Sequence, residues 1–306
     1  MSAGTDDAAP RDVEALAMSE TQRVLVVGSG TMGAGIAQVC AQAGMEVAMT
    51  DVSTSGLERG LQGIHRSLAK LVEKGKLDAA GRDAVLARIA TGPDAGAHAA
   101  NADLIVEAIP EKMELKLALF RELSAKAPSH ALFGTNTSSL SVTEIAGASI
   151  DPARVVGLHF FNPVPVMELL EVVRGLATSD ATIARALAFA GAIGKKAIVV
   201  KDFPGFATSR LGVMLGCEAM RMVEQGVASP ADIDTAMKLG YRHPMGPLEL
   251  TDLVGLDVRL SILEHLHREL GEQFRPPALL RQMVRAGHLG RKTGRGFYVY
   301  DAAPKG

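Results

Sequence analysis

Arg23-Val-Leu-Val-Val-Gly28-Ser-Gly30-Thr31-Met32-Gly33-Ala-Gly35-Ile-Ala-Gln38 reads as a short buried strand, a glycine turn and the opening of a helix. Gly28, Gly30 and Gly33 stand at G-x-G-x-x-G spacing, and each has its own task. The first permits the tight turn, the second lets a pyrophosphate approach the backbone, and the third lets helix and strand pack closely. At Thr31 and Met32 the free N–H groups and the positive end of the helix dipole face that phosphate site. A second strand, Glu46 to Thr50, ends in Asp51, where an acid accepts from a ribose 2′-hydroxyl. A carboxylate there also repels a 2′-phosphate, so the pattern favours NAD over NADP. Without the strand, the helix and the acid, the same glycines would mark only a turn.

The rest of the chain is of a size and composition to build on such a unit. At 306 residues it has room for one large or two ordinary domains. With 47% hydrophobic residues, 22% charged residues and a formal net charge of −2, it reads as globular, with no basic excess that would suggest nucleic acid or a membrane surface. No apolar run is long enough to span a bilayer. Cys40 and Cys217 lack metal-ligand spacing, so no metal site is expected, and they read as core residues in a reducing, cytoplasmic setting. Residues 1–22 are polar and resemble neither a secretory signal nor an Arg-rich transit peptide, so a disordered tail is expected there.

Outward from Asp51, helices are expected from Thr54 to Gly75 and from Asp78 to Ile89, a helical excursion beside the sheet. On the first, Ser67, Lys70 and Lys74 fall near one face. That face is either a solvated surface or a site for the phosphates of a large substrate handle. A strand from Asp103 to Ile109, a helix from Glu114 to Ala127 and a strand from Ala131 to Thr135 follow. In open α/β sheets ligands collect outside the carboxyl ends of the strands. Glu107 to Glu111 and the polar tip Asn136-Thr-Ser138-Ser139 therefore share a rim with the glycine turn. Ser138 suits both a helix cap and a ligand donor.

Two strand-like runs then flank a proline turn, from Arg154 to Val173, and read as a hairpin. His159 and Glu171 are equidistant in sequence from Pro165. A fold near the midpoint sets them opposite each other, with Cβ atoms on the order of 5 Å apart. A carboxylate so placed would bond the imidazole, fix its tautomer and favour its charged form. A histidine facing a glutamate at the rim of a dinucleotide site is a candidate acid–base pair. After a helix from Asp180 to Ile193 and a strand from Ala197 to Val200, Lys201-Asp-Phe-Pro204-Gly205 reads as a hinge. Beyond it helices are expected over Phe206–Gln225, Pro230–Leu239, Pro247–Leu270 and Pro277–Ala286. The expectation is thus a Rossmann-type, mostly parallel α/β sheet domain over 23–201 and an all-α domain over 202–306.

In continuous order these residues resemble the L-3-hydroxyacyl-CoA dehydrogenase family, above all its short, single-activity 3-hydroxybutyryl-CoA type. The likeness runs from Arg23 to Tyr300. It is carried by Gly28–Gly35, Val106-Glu-Ala-Ile-Pro-Glu111, Asn136-Thr-Ser-Ser-Leu140, Leu158-His-Phe-Phe-Asn-Pro-Val-Pro165, Pro204-Gly-Phe206, Pro244-Met-Gly-Pro247 and Gly290-Arg-Lys-Thr-Gly-Arg-Gly-Phe-Tyr298. The resemblance implies NAD-dependent oxidation of a 3-hydroxyacyl-CoA, or the reverse reduction. His159 would be the base and Glu171 its acidic partner. It further implies that Ser138 and Asn162 touch substrate and nicotinamide, that Asp51, Glu111, Lys116 and Lys292 contact NAD, and that Ser67 and Lys74 contact CoA. It also implies a homodimer formed through the helical domain.

One position departs from that family. An asparagine usually follows the Pro-Gly-Phe segment, beside an arginine and near the reacting group, and here Ser209 stands in that place, before Arg210. A serine is shorter and lacks the amide carbonyl, so a water completes the bond or the acyl group differs. This keeps open a free hydroxy or sugar acid, or a carrier-protein thioester, as substrate. A non-catalytic NAD-binding protein is the alternative of another class.

Overall fold

A computed structural model of the chain describes residues 22–300, so the tail expected over 1–22 lies outside the described residues apart from Gln22. Eight strands form one sheet: β1 (Arg23–Val27), β2 (Glu46–Thr50), β3 (Ile89–Gly92), β4 (Leu104–Glu107), β5 (Leu132–Thr135), β6 (Val155–Phe160), β7 (Leu169–Arg174) and β8 (Lys196–Lys201). Their order is β3-β2-β1-β4-β5-β6-β7-β8. Neighbours run parallel except β6 and β7, which form the antiparallel hairpin. The chain reverses its direction across the sheet at β1, flanked by β2 and β4. Such a switch point opens a crevice at the carboxyl ends of the strands.

The central strands are buried on both faces, which is why they read as unbroken apolar runs. Alternation along β1 divides them between two layers. Val24 and Val26 join α1 (Thr31–Gln42), α2 (Thr54–Glu73) and α7 (Asp180–Ala192) through Ile36, Ile64, Leu68 and Phe189. Leu25 and Val27 face α5 (Met113–Ser124) and α6 (Val142–Gly147) through Phe120, Leu123 and Ile145.

Two expectations need correction. The helix expected to run to Ile89 ends at Ala87 as α3 (Ala79–Ala87), and Ile89–Gly92 is instead the edge strand β3, followed by α4 (Ala95–Ala99). Four residues carry too little periodicity to announce a strand, and pairing with Val47–Thr50 is what makes them one. Further on, the single helix expected over Pro247–Leu270 is broken at Gly255, whose φ of 105° lies outside helical space.

The chain divides into two compact units between Asp202 and Phe203. The second contains α8 (Thr208–Glu224), α9 (Pro230–Gly240), α10 (Pro247–Val254), α11 (Leu256–Leu270) and α12 (Ala278–Arg285) around Val213, Cys217, Met220, Leu248, Leu263 and Leu266. Two buried carboxylates brace it. Asp234 accepts from the backbone N–H groups of Leu248 and Glu249 at the start of α10 and from the Tyr298 hydroxyl. Asp252 accepts from the N–H groups of Phe297 and Tyr298 and from the Tyr300 hydroxyl. Burial, the bond to Asp252 and its charge push the Tyr300 phenol up to about 12. Among the described residues no helix is long and apolar enough to cross a membrane.

Candidate active site

The glycine turn is shaped by close approach. Gly28 has φ 105°, and a Cβ there would lie 2.5 Å from the carbonyl oxygen of Ala108, just past β4. A Cβ on Gly33 would overlap the Gly28 carbonyl. Gly30 is different: a Cβ there would meet nothing within 4 Å. The protein's own packing does not require glycine at 30, whereas a pyrophosphate lying against the backbone there would. Gly30 also caps α1 without a side-chain hydrogen bond, so the first N–H groups of the helix face the same space. Thr31 lines the cleft, whereas Met32 turns its side chain toward the core and offers the site its backbone.

Asp51, just past β2, is held in acceptor form. Its Oδ2 accepts from the Ser29 N–H at 2.9 Å and the Ser29 hydroxyl at 2.8 Å, and its Oδ1 from the Ser53 N–H at 2.9 Å. Burial works to raise its pKa, but these bonds and the charge of Arg59 outweigh it and keep the carboxyl below its usual value. A cleft of about 610 Å³ joins this corner to Thr31, to Arg59, Arg66 and Ser67 on α2, and to Asn162–Pro165 in the hairpin loop. The residue-by-residue reading reached Ser67 but missed Arg59 and Arg66, although positions 59, 63, 66, 67 and 70 share a helical face. Lys74, at the end of α2, is exposed and lies outside the residues lining that cleft.

At the end of β4, fully buried Glu107 accepts from the Lys116 ammonium at 2.6 Å, the Ile109 N–H at 2.8 Å and the Thr135 hydroxyl at 2.6 Å. The Lys116 side chain, 1% exposed, also reaches Glu111 at 3.1 Å. Lys116, implied above as a cofactor contact, is thus enclosed between two carboxylates. Glu111 in turn holds the polar tip, accepting from the Thr137 hydroxyl at 2.6 Å and the Ser138 N–H at 2.9 Å. Burial raises its pKa, yet the Lys116 charge and these bonds leave it below the ordinary carboxylate value. Asn136 ties the tip to the hairpin by accepting from the Phe160 N–H at 2.9 Å. The sequence set Glu107–Glu111 and Asn136–Ser139 at one rim, but not the hydrogen bonds between them or the enclosure of Lys116, because those contacts join three separate strand ends.

The β6–β7 register sets His159 directly across from Glu171. Imidazole Nδ1 lies 2.6 Å from Glu171 Oε2, with the histidine 6% exposed and the glutamate fully buried. The Phe161 ring lies tilted against the imidazole, 4.5 Å between centroids. With Glu171 ionised, Nδ1 carries the proton it donates, and Nε2 is the nitrogen able to take one. Ser138 is half-buried and Asn162 exposed at the same edge of the sheet. In the helical unit, Ser209 is half-buried in the first turn of α8, and Lys292 forms an ion pair with Asp257 at 2.6 Å.

A dinucleotide crevice with a titratable imidazole at its rim defines a class, the NAD-dependent oxidoreductases. The chain belongs to the 3-hydroxyacyl-CoA dehydrogenase family: the model of that family's NAD binding domain matches residues 23–203, and the model of its C-terminal domain matches residues 205–300. A probable 3-hydroxybutyryl-CoA dehydrogenase of Bacillus subtilis is 47% identical over 92% of this chain and 98% of its own length. A mitochondrial hydroxyacyl-coenzyme A dehydrogenase of Homo sapiens is 44% identical over 91% of each chain. Among solved structures, the (S)-3-hydroxybutyryl-CoA dehydrogenase of Ralstonia eutropha superimposes with a TM-score of 0.88 at 42% identity, covering 92% of this chain and 99% of that one.

Proposed function

We propose that the chain oxidises a short 3-hydroxyacyl-CoA, such as 3-hydroxybutyryl-CoA, and runs the reverse reduction, with His159 and Glu171 as its acid–base pair. The 2.6 Å contact between His159 Nδ1 and Glu171 Oε2 at the carboxyl edge of the sheet carries this reading. When bound, NAD supplies the acceptor for the hydride that leaves C3 of the substrate. His159 Nε2 takes the proton of the 3-hydroxyl, and Glu171 stabilises the positive charge that arrives with it. In reduction His159 returns the proton. Ser138, steadied by Glu111, and Asn162 orient the hydroxyl, the thioester and the cofactor carboxamide. Ser67 and Lys74 take the CoA portion, joined by Arg59 and Arg66. Lys292 serves the cofactor, and Ser209 lies against the substrate as a hydroxyl donor. A homodimer through the helical unit and a cytoplasmic setting belong to the same proposal. The buried thiols Cys40 and Cys217, both pushed up by burial, support the latter.

The test is NADH consumption with acetoacetyl-CoA, free acetoacetate and a carrier-protein-bound acetoacetyl group. Turnover of the CoA thioester well above the other two is expected. A preference for free acetoacetate would overturn the substrate class, and tight NADH binding without turnover of any of them would favour a non-catalytic role.

A further inference from the structure

Arg259 is a buried cation without a visible counterion. It lies on the face of α11 that also carries Leu256, Leu263 and Leu266, and it is only 6% exposed. That seam is the one α11 turns into the core of the helical unit. Its Nε is buried and has no hydrogen-bond partner, and among the described residues no carboxylate forms an ion pair with its side chain. Burial alone acts on its titration, pushing it down to about 10 with no neighbouring charge to oppose the shift. Lys116, also strongly buried, sits between two carboxylates. A guanidinium largely withdrawn from water with no anion beside it is costly to fold around. Its presence on a leucine seam calls for an anion that arrives from outside the fold.

The direction of the side chain narrows what that anion is. Arg259 Nη1 reaches α8, 3.9 Å from where a Cβ on Gly212 would stand. With no side chain at 212, the guanidinium has room against the helix backbone. Ser209 is one turn earlier on α8, and residues three apart share a helical face. Ser209 and Gly212, against which the guanidinium lies, are therefore three residues apart on one face, roughly 4.5 Å along the helix. Roughly two or three methylenes and a carboxylate cover that span. A planar guanidinium accepts a carboxylate through two parallel hydrogen bonds, a geometry no methyl terminus can use.

We infer that Arg259 receives a carboxylate at the far end of the acyl chain, so that the preferred substrates are 3-hydroxyacyl-CoA thioesters ending in an acid rather than a methyl group. The inference rests on the proposed 3-hydroxyacyl-CoA chemistry and on Ser209 lying against the substrate. It makes Arg259 a specificity residue.

The experiment compares kcat/KM of the wild-type enzyme for 3-oxoadipyl-CoA and for 3-oxohexanoyl-CoA, which differ only in the terminal group, with Arg259→Leu and Arg259→Lys alongside. A preference of about 10-fold or more for the acid-ended thioester is expected, from the worth of a charge-assisted bond. In Arg259→Leu the ratio of the two should fall to near one, mainly through KM, and Arg259→Lys should restore part of it. Equal use of the two thioesters by the wild-type enzyme overturns the inference, and needs no variant to fold. A preference that survives in Arg259→Leu overturns it as well. Free adipate distinguishes the remaining source of a carboxylate: if millimolar adipate alters acetoacetyl-CoA turnover in the wild type and not in Arg259→Leu, while the thioesters are used equally, the site takes a separate anion and not the acyl end. Failure to consume any CoA thioester overturns the proposed reaction itself, an outcome distinct from equal consumption.

Discussion

Glu107 and Glu171 are both fully buried carboxylates near the carboxyl edge of one sheet, and they face different partners. Glu107 accepts from an ammonium, a backbone N–H and a threonine hydroxyl. The cluster is fixed, and it holds Lys116 and through it Glu111 in place. Glu171 faces an imidazole, the side-chain type that gains and loses a proton near neutrality. Burial and charge are common to both sites. On the proposed function, the identity of the partner separates a brace from a site that moves a proton.

Removing the titratable member puts that contrast to its hardest test. His159→Ala should lower kcat by roughly 10²–10⁴-fold, the usual worth of a positioned acid–base group. Its NADH Kd, read by fluorescence titration, should stay within about 3-fold. Turnover close to wild type would end the comparison, because His159 would then be as passive as Lys116. Glu171→Gln retains the shape but presents an amide to Nδ1, so the tautomer is no longer fixed. A loss of about 10²-fold in kcat is expected, with the pH–rate profile displaced. A variant that changes only Tm would assign Glu171 to the structural side.

Breaking the brace should act on stability first. Lys116→Met leaves Glu107 buried without its cation and should lower the unfolding free energy by about 3–5 kcal/mol, measured by urea denaturation. NADH affinity should weaken less than stability does. The pair variant Glu107→Gln/Lys116→Met should recover much of the loss, since it removes both buried charges.

The smallest effect concerns Glu111. Its folded pKa is below the ordinary 4.5, so its contribution is present above that value and is lost as the pH falls through the folded pKa. Glu111→Gln should therefore narrow the acid-induced fall in Tm below about pH 4.5 by only about 1–2 °C, because the group is partly exposed. An unchanged acid limb would remove Glu111 from the brace.

Local pattern made much of this molecule legible. The apolar run Val24–Val27, the glycine spacing and Asp51 together define a crossover unit whose geometry is set by residues close in the chain. The distance of His159 and Glu171 from Pro165 likewise gave their register, because a hairpin pairs residues symmetrically about its turn. Edge strand β3 escaped the reading because its conformation comes from pairing with β2 and not from its own four residues. The break at Gly255 was hidden by helical periodicity continuing on both sides of it.

What the sequence by itself determined was the order of elements, the dinucleotide turn and the facing of one histidine by one glutamate, since each depends on short-range spacing. Tertiary structure alone decided that Lys116 is enclosed by Glu107 and Glu111, that Arg59 stands beside Asp51, and that Arg259 is buried on a leucine seam. Those facts turn on which distant segments meet and how much water they exclude. A charged residue looks the same in a sequence whether its counterion is a neighbouring strand, the solvent or a ligand.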